Sequence, residues 1–224
     1  MGRSLRAARG GYVYHVLNRA NARLPLLESD DDYSAFERIL ADGVARFRPR
    51  LLAYCLMPDH WHLLVYPRED DALSKFVGWV TLTHTQRLHA QRGTTGCGHV
   101  YQGRFKSFPV QDDEHFYTVC RYVERNALRA GLVKKAEAWR FGSLRRTMHG
   151  DAEERALLAP WPVPRPRNWA AQVNRPQTEG ELAAIRRAIA RGNPLGDERW
   201  TQRTVDKLGL ESTLRPRGRP KKGG

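Results

Sequence analysis

Arg50–Tyr66 reads RLLAYCLMPDHWHLLVY. Two apolar, β-prone runs, Arg50–Met57 and His60–Tyr66, are separated by Pro58-Asp59. A turn pair between two such runs specifies a β-hairpin. Upstream of it, Ser29 precedes Asp30, Asp31 and Asp32, an N-cap followed by acids where the helix dipole favours them. Tyr33, Phe36, Leu40, Val44 and Phe47 then recur at helical spacing to about Arg48. Further out, Gly11–Asn18 (GYVYHVLN) is β-branched and aromatic and reads as a strand. Downstream, Asp71 is placed to cap a helix with apolar positions Leu73, Phe76, Val77, Val80 and Leu88. Gly93–Gly98 (GTTGCG) is a loop, Arg104–Val110 a strand, and Asp112-Asp113-Glu114 opens a helix to about Asn126. The order is β-α-β-β-α-β-α. Its first six elements predict an α+β, ferredoxin-like split βαβ unit, an antiparallel sheet with helices on one face.

Beyond Gly131 the pattern changes. Ala159–Arg167 (APWPVPRPR) holds four of the 13 prolines and cannot continue a helix or a central strand. Two short helices are expected after it, Glu179–Arg191 and Asp197–Leu208, each stopped by glycine. The expected division is a main domain over 1–150, a proline-rich linker over 151–178 and a helical, basic C-terminal extension over 179–224.

The chain has 224 residues and a formal charge of +14, from 38 Lys+Arg against 24 Asp+Glu. The excess is +8 up to Gly150 and +6 after it, so it is not confined to the tail. Hydrophobic residues at 41% and charged residues at 28% are globular values and exclude a wholly disordered chain. No apolar run reaches the ~18 residues of a membrane span, so no membrane partner is expected. Cys55, Cys97 and Cys120 are widely spaced and form no CxxC pair, which argues against a disulfide scaffold or a cysteine zinc module and for a reducing, cytoplasmic setting. A polyanion is the default partner of such a chain.

His60 and His62 flank Trp61 in the second run of the hairpin, and alternation along a strand puts both imidazoles on one face. Two imidazoles so placed can grip a divalent cation, and they can equally be ordinary half-buried histidines. On the last helix the stripe Phe116, Val119, Cys120, Val123 must pack on the sheet, and Tyr122 and Asn126 lie one turn apart on its flank. A phenol and a carboxamide beside two histidines suit phosphoryl transfer: a tyrosine nucleophile and a metal that polarises the phosphate. The same two residues also describe a boundary tyrosine and a helix-end cap. Arg104 and Lys106 alternate on the fourth strand and could line a phosphate path. His15 could border the site or sit in the core; His84 and His89 are expected on a helix surface.

Met57-Pro58-Asp59-His60-Trp61-His62-Leu63-Leu64-Val65 resembles the HUH motif of single-tyrosine HUH transposases, and the chain is similar to REP-associated tyrosine transposases. The stretches Tyr101–Lys106, Arg121–Asn126, Arg129–Val133 and Leu210–Pro220 carry the resemblance further. It departs from the family at Ala127, usually proline, and Ala20, often glycine; neither change removes a chemical group. The resemblance implies Mg²⁺ or Mn²⁺ held by His60, His62 and Asn126. It also implies that Tyr122 attacks single-stranded DNA to leave a 5′-phosphotyrosine and a free 3′-OH. Its substrates would be hairpins of repetitive extragenic palindromes, and it would act as a monomer, with a dimer the alternative. Residues 1–150 would then be the catalytic domain.

From Leu214 to Gly224 there are five bases and no acid. Pro216–Lys221 resembles an AT-hook core, in which Arg-Gly-Arg lies along a narrow A·T minor groove. Arg215, Arg217, Arg219 and Lys221 are therefore candidate DNA contacts. A second reading is a non-catalytic binder of structured nucleic acid, a repressor or domesticated transposase. It would keep the basic tail and the sheet and need neither Tyr122 nor the paired histidines.

Overall fold

In the computed structural model, which describes residues 8–215, Pro58 and Asp59 turn the chain between β2 (Arg50–Leu56) and β3 (His60–Tyr66). These strands pair antiparallel with Cys55 opposite His62 and Leu56 opposite Trp61. β1 (Val13–Arg19) pairs antiparallel with the other side of β3, and β4 (Lys106–Val110) with the other side of β1. The four-stranded order β2-β3-β1-β4 is that of a split βαβ fold.

Cross-strand partners share a face, so the register assigns every side chain. Tyr14, Val16, Leu56, Trp61, Leu63 and Val65 pack against α1 (Asp30–Phe47) and α2 (Ala72–Arg92). Ser29 and Asp32 close a reciprocal capping box at the start of α1, as the sequence predicts. Gly43 lets α2 come close: a Cβ there would meet the Phe76 ring at 2.9 Å. The two helices of the split unit thus share one face, as expected. The opposite face carries Val13, Leu64, Phe108 and Val110 and is covered by α3 (Glu114–Glu124) through Phe116, Val119, Cys120 and Val123. α3 gives way at Arg125 to α4 (Asn126–Arg129), so the single helix expected to reach Asn126 is two pieces.

His84 is not on the helix surface. It is 3% exposed, and its Nδ1 accepts from the Tyr101 hydroxyl (2.8 Å), which in turn accepts from Trp61 Nε1 (3.0 Å). An α2 position read as solvent-facing is in the core because the loop before β4 folds Tyr101 back over it.

Residues 151–178 do more than link. α5 (Ser143–His149) and α6 (Ala152–Ala156) lead into the prolines, whose extended backbone places two indoles. Trp161 Nε1 donates to the Leu52 carbonyl at 2.9 Å, and Trp169, 3% exposed, opens α7 (Trp169–Asn174). Prolines prevent a helix here, and the aromatic residues between them turn the stretch into packing. α8 (Glu179–Arg191), α9 (Glu198–Leu208) and α10 (Glu211–Leu214) follow. Both sheet edges are covered, which removes the unpaired edges that invite association. Leu56 N–H donates to the Phe141 carbonyl (3.0 Å) and Ala159 N–H to Leu51 (2.8 Å) on the β2 side. Leu195 N–H donates to Pro109 (2.9 Å) and Gln111 N–H to Leu195 (2.9 Å) on the β4 side. The last pair docks the end of α8 beside β4. No helix among the described residues is long and apolar enough to cross a membrane.

Burial pushes the His84 imidazole down to about 4. The unfolded chain therefore takes up a proton near 6.5 that the folded chain refuses until about 4, so stability falls as pH drops through that window, by up to about 1.4 kcal/mol per pH unit from this group. Urea unfolding between pH 7 and 4 should show a shallower fall in His84→Gln, whose amide oxygen can still accept from Tyr101.

Candidate active site

β1 and β3 position the histidines. Opposite pairs His15–Leu64, Leu17–His62 and Arg19–His60 put His15, His60 and His62 on the face that α3 covers. His15 Nε2 and His62 Nδ1 are 2.9 Å apart, with the rings stacked at 5.1 Å. His60 Nδ1 is 2.5 Å from Asp59 Oδ1; because a carboxylate only accepts, this nitrogen carries the proton. Both catalytic-candidate imidazoles are thus held through Nδ1. With His62 donating to His15, the Nε2 lone pair of each remains available, the arrangement that outer-shell partners impose on metal-binding histidines. Burial lowers all three imidazoles: His15 to about 3, His62 well below its ordinary value with help from His60 and His15, and His60 despite the opposing pull of Asp59. All three are neutral at pH 7, as ligation requires.

The outer helix brings Tyr122 and Asn126 to the same place. The Tyr122 ring lies 5.6 Å from the His62 ring and 6.1 Å from His15, edge-on to both, and the residue is 8% exposed. Glu124, buried and acidic, anchors this helix: Ser143 Oγ donates to one of its oxygens (2.6 Å) and Trp169 Nε1 to the other (2.6 Å). Burial raises the Glu124 carboxyl, and these two donors oppose the rise.

Sequence reasoning assigned no role to Arg129, yet it binds the site together. Its guanidinium lies 4.0 Å above the Tyr122 ring, a cation–π distance, and Nη2 donates to Asn126 Oδ1 at 3.0 Å. A signal was present: Tyr122, Asn126 and Arg129 are spaced i, i+4, i+7, one helical stripe. His15, read as either core or border, is both, fully buried and bonded to His62. Asn126 is 4% exposed and its Nδ2 has no acceptor.

His60, His62, Tyr122, Asn126 and Arg129 line one cleft of about 800 Å³, with His15 buried behind it. Arg104 and Lys106 line its β4 side and both are exposed; Lys106 opens β4 as expected, whereas Arg104 lies in the loop before the strand, which begins two residues later than the sequence suggests. Arg215 is exposed after α10 and does not line the cleft; Arg217, Arg219 and Lys221 lie outside the described residues. Among the described residues no three His, Cys, Asp or Glu are grouped to hold a metal. The donor set is instead two neutral imidazoles with the Asn126 carbonyl, which has a second lone pair besides the one taken by Arg129. That set fits a divalent cation that accepts nitrogen and oxygen.

Three comparisons bear on this cleft. The family model described as "Transposase IS200 like" matches residues 9–126, which span β1 to Asn126. A Haemophilus influenzae protein described as a REP-associated tyrosine transposase is 24% identical over 108 residues; the match covers 45% of this chain and 61% of that protein's length. The solved structure of a REP-associated tyrosine transposase bound to a REP hairpin superposes with a TM-score of 0.54 at 19% identity, covering 67% of this chain and 87% of that one. That likeness is one of fold.

Replacing Glu124 by Ala strands the Ser143 hydroxyl and Trp169 N–H in the interior, an expected loss of about 2–4 kcal/mol. Thermal unfolding of Glu124→Ala beside wild type measures it, and a loss within about 0.5 kcal/mol, the size of a plain surface substitution, would show that the anchor is not used.

Proposed function

The chain belongs to the IS200-like transposase family, and on that premise we propose that it cuts and rejoins single-stranded DNA through Tyr122. The observation that carries the reading is the Tyr122 phenol set edge-on against His62 and under Arg129, in a cleft shared with His60 and Asn126. The Tyr122 oxygen attacks a backbone phosphorus and loses its proton. The new P–O bond replaces the bond to the 3′ oxygen, which leaves as a free 3′-OH while the 5′ side stays as phosphotyrosine. Attack by a 3′-OH reverses the step and rejoins the strand.

His60 and His62 would hold Mg²⁺ or Mn²⁺ through Nε2, with Asn126 Oδ1 completing the protein ligands. When bound, the ion supplies a Lewis acid for a phosphate oxygen. The chain's own part is to keep those nitrogens unprotonated by burial, to orient them through Asp59 and His15, and to hold the nucleophile's ring with Arg129. We assign the substrate as a DNA hairpin with a single-stranded flank. The support is the net charge of +14, the exposed Arg104 and Lys106 beside the site, and the fold likeness to a transposase solved bound to a REP hairpin. Residues 1–150 are the proposed catalytic domain, with Arg215, Arg217, Arg219 and Lys221 as further DNA contacts.

Denaturing gels of a labelled hairpin oligonucleotide should show a covalent adduct with wild type in Mn²⁺ and none with Tyr122→Phe, while hairpin affinity stays within about twofold, because only a hydroxyl is lost. An adduct in the Phe variant would move the nucleophile elsewhere; binding without any adduct in wild type would favour the non-catalytic reading. Calorimetric titration with Mn²⁺ should give one site in wild type, lost in His60→Ala, and cutting should stop in EDTA. Undiminished cutting in EDTA would overturn the metal assignment.

A further inference from the structure

The cleft has a second wall that the family match to residues 9–126 does not reach. It is α8, docked beside β4 by the Leu195 backbone pairs, and it contributes Arg186 to the lining. Arg186 is exposed, and no carboxylate pairs with it or with Arg129 among the described residues. Arg129 lines the same cleft from α4. Two guanidinium groups that line one cleft without a carboxylate partner favour an anion there. The third group at the place is Asn126 Nδ2, a buried donor lacking an acceptor, whose own oxygen is engaged by Arg129. An unsatisfied buried donor is costly, and a ligand oxygen accepting from it recovers that cost.

We propose that Arg186, Arg129 and Asn126 Nδ2 form a phosphate-binding site that seats a phosphodiester of single-stranded DNA in front of Tyr122, so that the C-terminal extension is a working part of the cleft. Non-bridging oxygens accept from the two guanidinium groups and from the amide. This deepens the reading of the chain as a single-strand transferase and rests on it. It also gives α8 a role distinct from reading the hairpin: the helix holds the strand that is to be cut. Arg187, the next residue on the same exposed turn, does not line the cleft and serves as the internal control.

The test is fluorescence anisotropy of a short labelled single-stranded DNA with the full chain in EDTA, repeated over a salt series, with adduct formation in Mn²⁺ scored in parallel. Arg186→Gln should weaken binding about tenfold and lower the slope of log affinity against log salt by about one phosphate contact. Arg186→Lys should recover most of both, since it restores the charge, and Arg187→Gln should change neither. Adduct formation should slow in Arg186→Gln in step with the binding loss. Wild-type affinity and an unchanged slope in Arg186→Gln, or an equal loss in Arg187→Gln, would overturn the phosphate site while the Tyr122 adduct in wild type leaves the transferase reading standing. If wild type neither binds the strand nor forms an adduct, both fall.

Discussion

The antiparallel register of β1 against β3 is the constraint on which the site depends. Leu17 opposite His62 and Arg19 opposite His60 place three imidazoles on one face of the sheet and Trp61, Leu63 and Val65 on the other. A slip of one residue would exchange the faces, burying Trp61 under α3 and sending the histidines into the α1–α2 core. The pairing also sets the 2.9 Å contact between His15 and His62, which fixes one ring through Nδ1. Apolar burial on both faces holds the register, so the same packing that stabilises the sheet orients the chemistry.

The second organising feature is what lies over that face. Only a short stretch, Tyr122 to Arg129, carries the phenol, the amide and the guanidinium, and it must lie flat on the sheet for them to reach the histidines. Glu124 provides this by accepting from Ser143 and Trp169, residues on either side of the proline-rich stretch. A buried carboxylate is costly unless its oxygens are satisfied, and here both are. The proline-rich stretch and the helices after it are therefore tied to α3, and they reach β4 through Leu195.

Charge is distributed to match. Imidazoles that burial keeps neutral, His60 and His62, lie on the sheet floor, and cations line the same cleft: Arg104 and Lys106 beside β1, Arg129 on α4 and Arg186 on α8. Neutral ligands favour a cation at the floor, while unpaired guanidinium groups favour a phosphate above it. In the proposed function the +14 charge is thus divided between recognition and a local role at the reacting group.

Much of this was legible in the linear order of residues. Alternation put His60 and His62 on one face, helical spacing put Tyr122 one turn from Asn126, and the hairpin with its flanking helices specified the split βαβ sheet. Each of these signals is local, with a period of two or of 3.6 residues, so a single chain displays it without any partner. His15 against His62, Tyr101 over His84, Glu124 between Ser143 and Trp169, and Arg186 in one cleft with Arg129 were decided only by the tertiary structure. They join residues far apart in the chain, and the distance between such residues follows from strand register and helix docking, which no local period encodes. The proline-rich stretch shows the same division: its composition forbade regular structure, and only packing revealed that its indoles would fill the space beside α3.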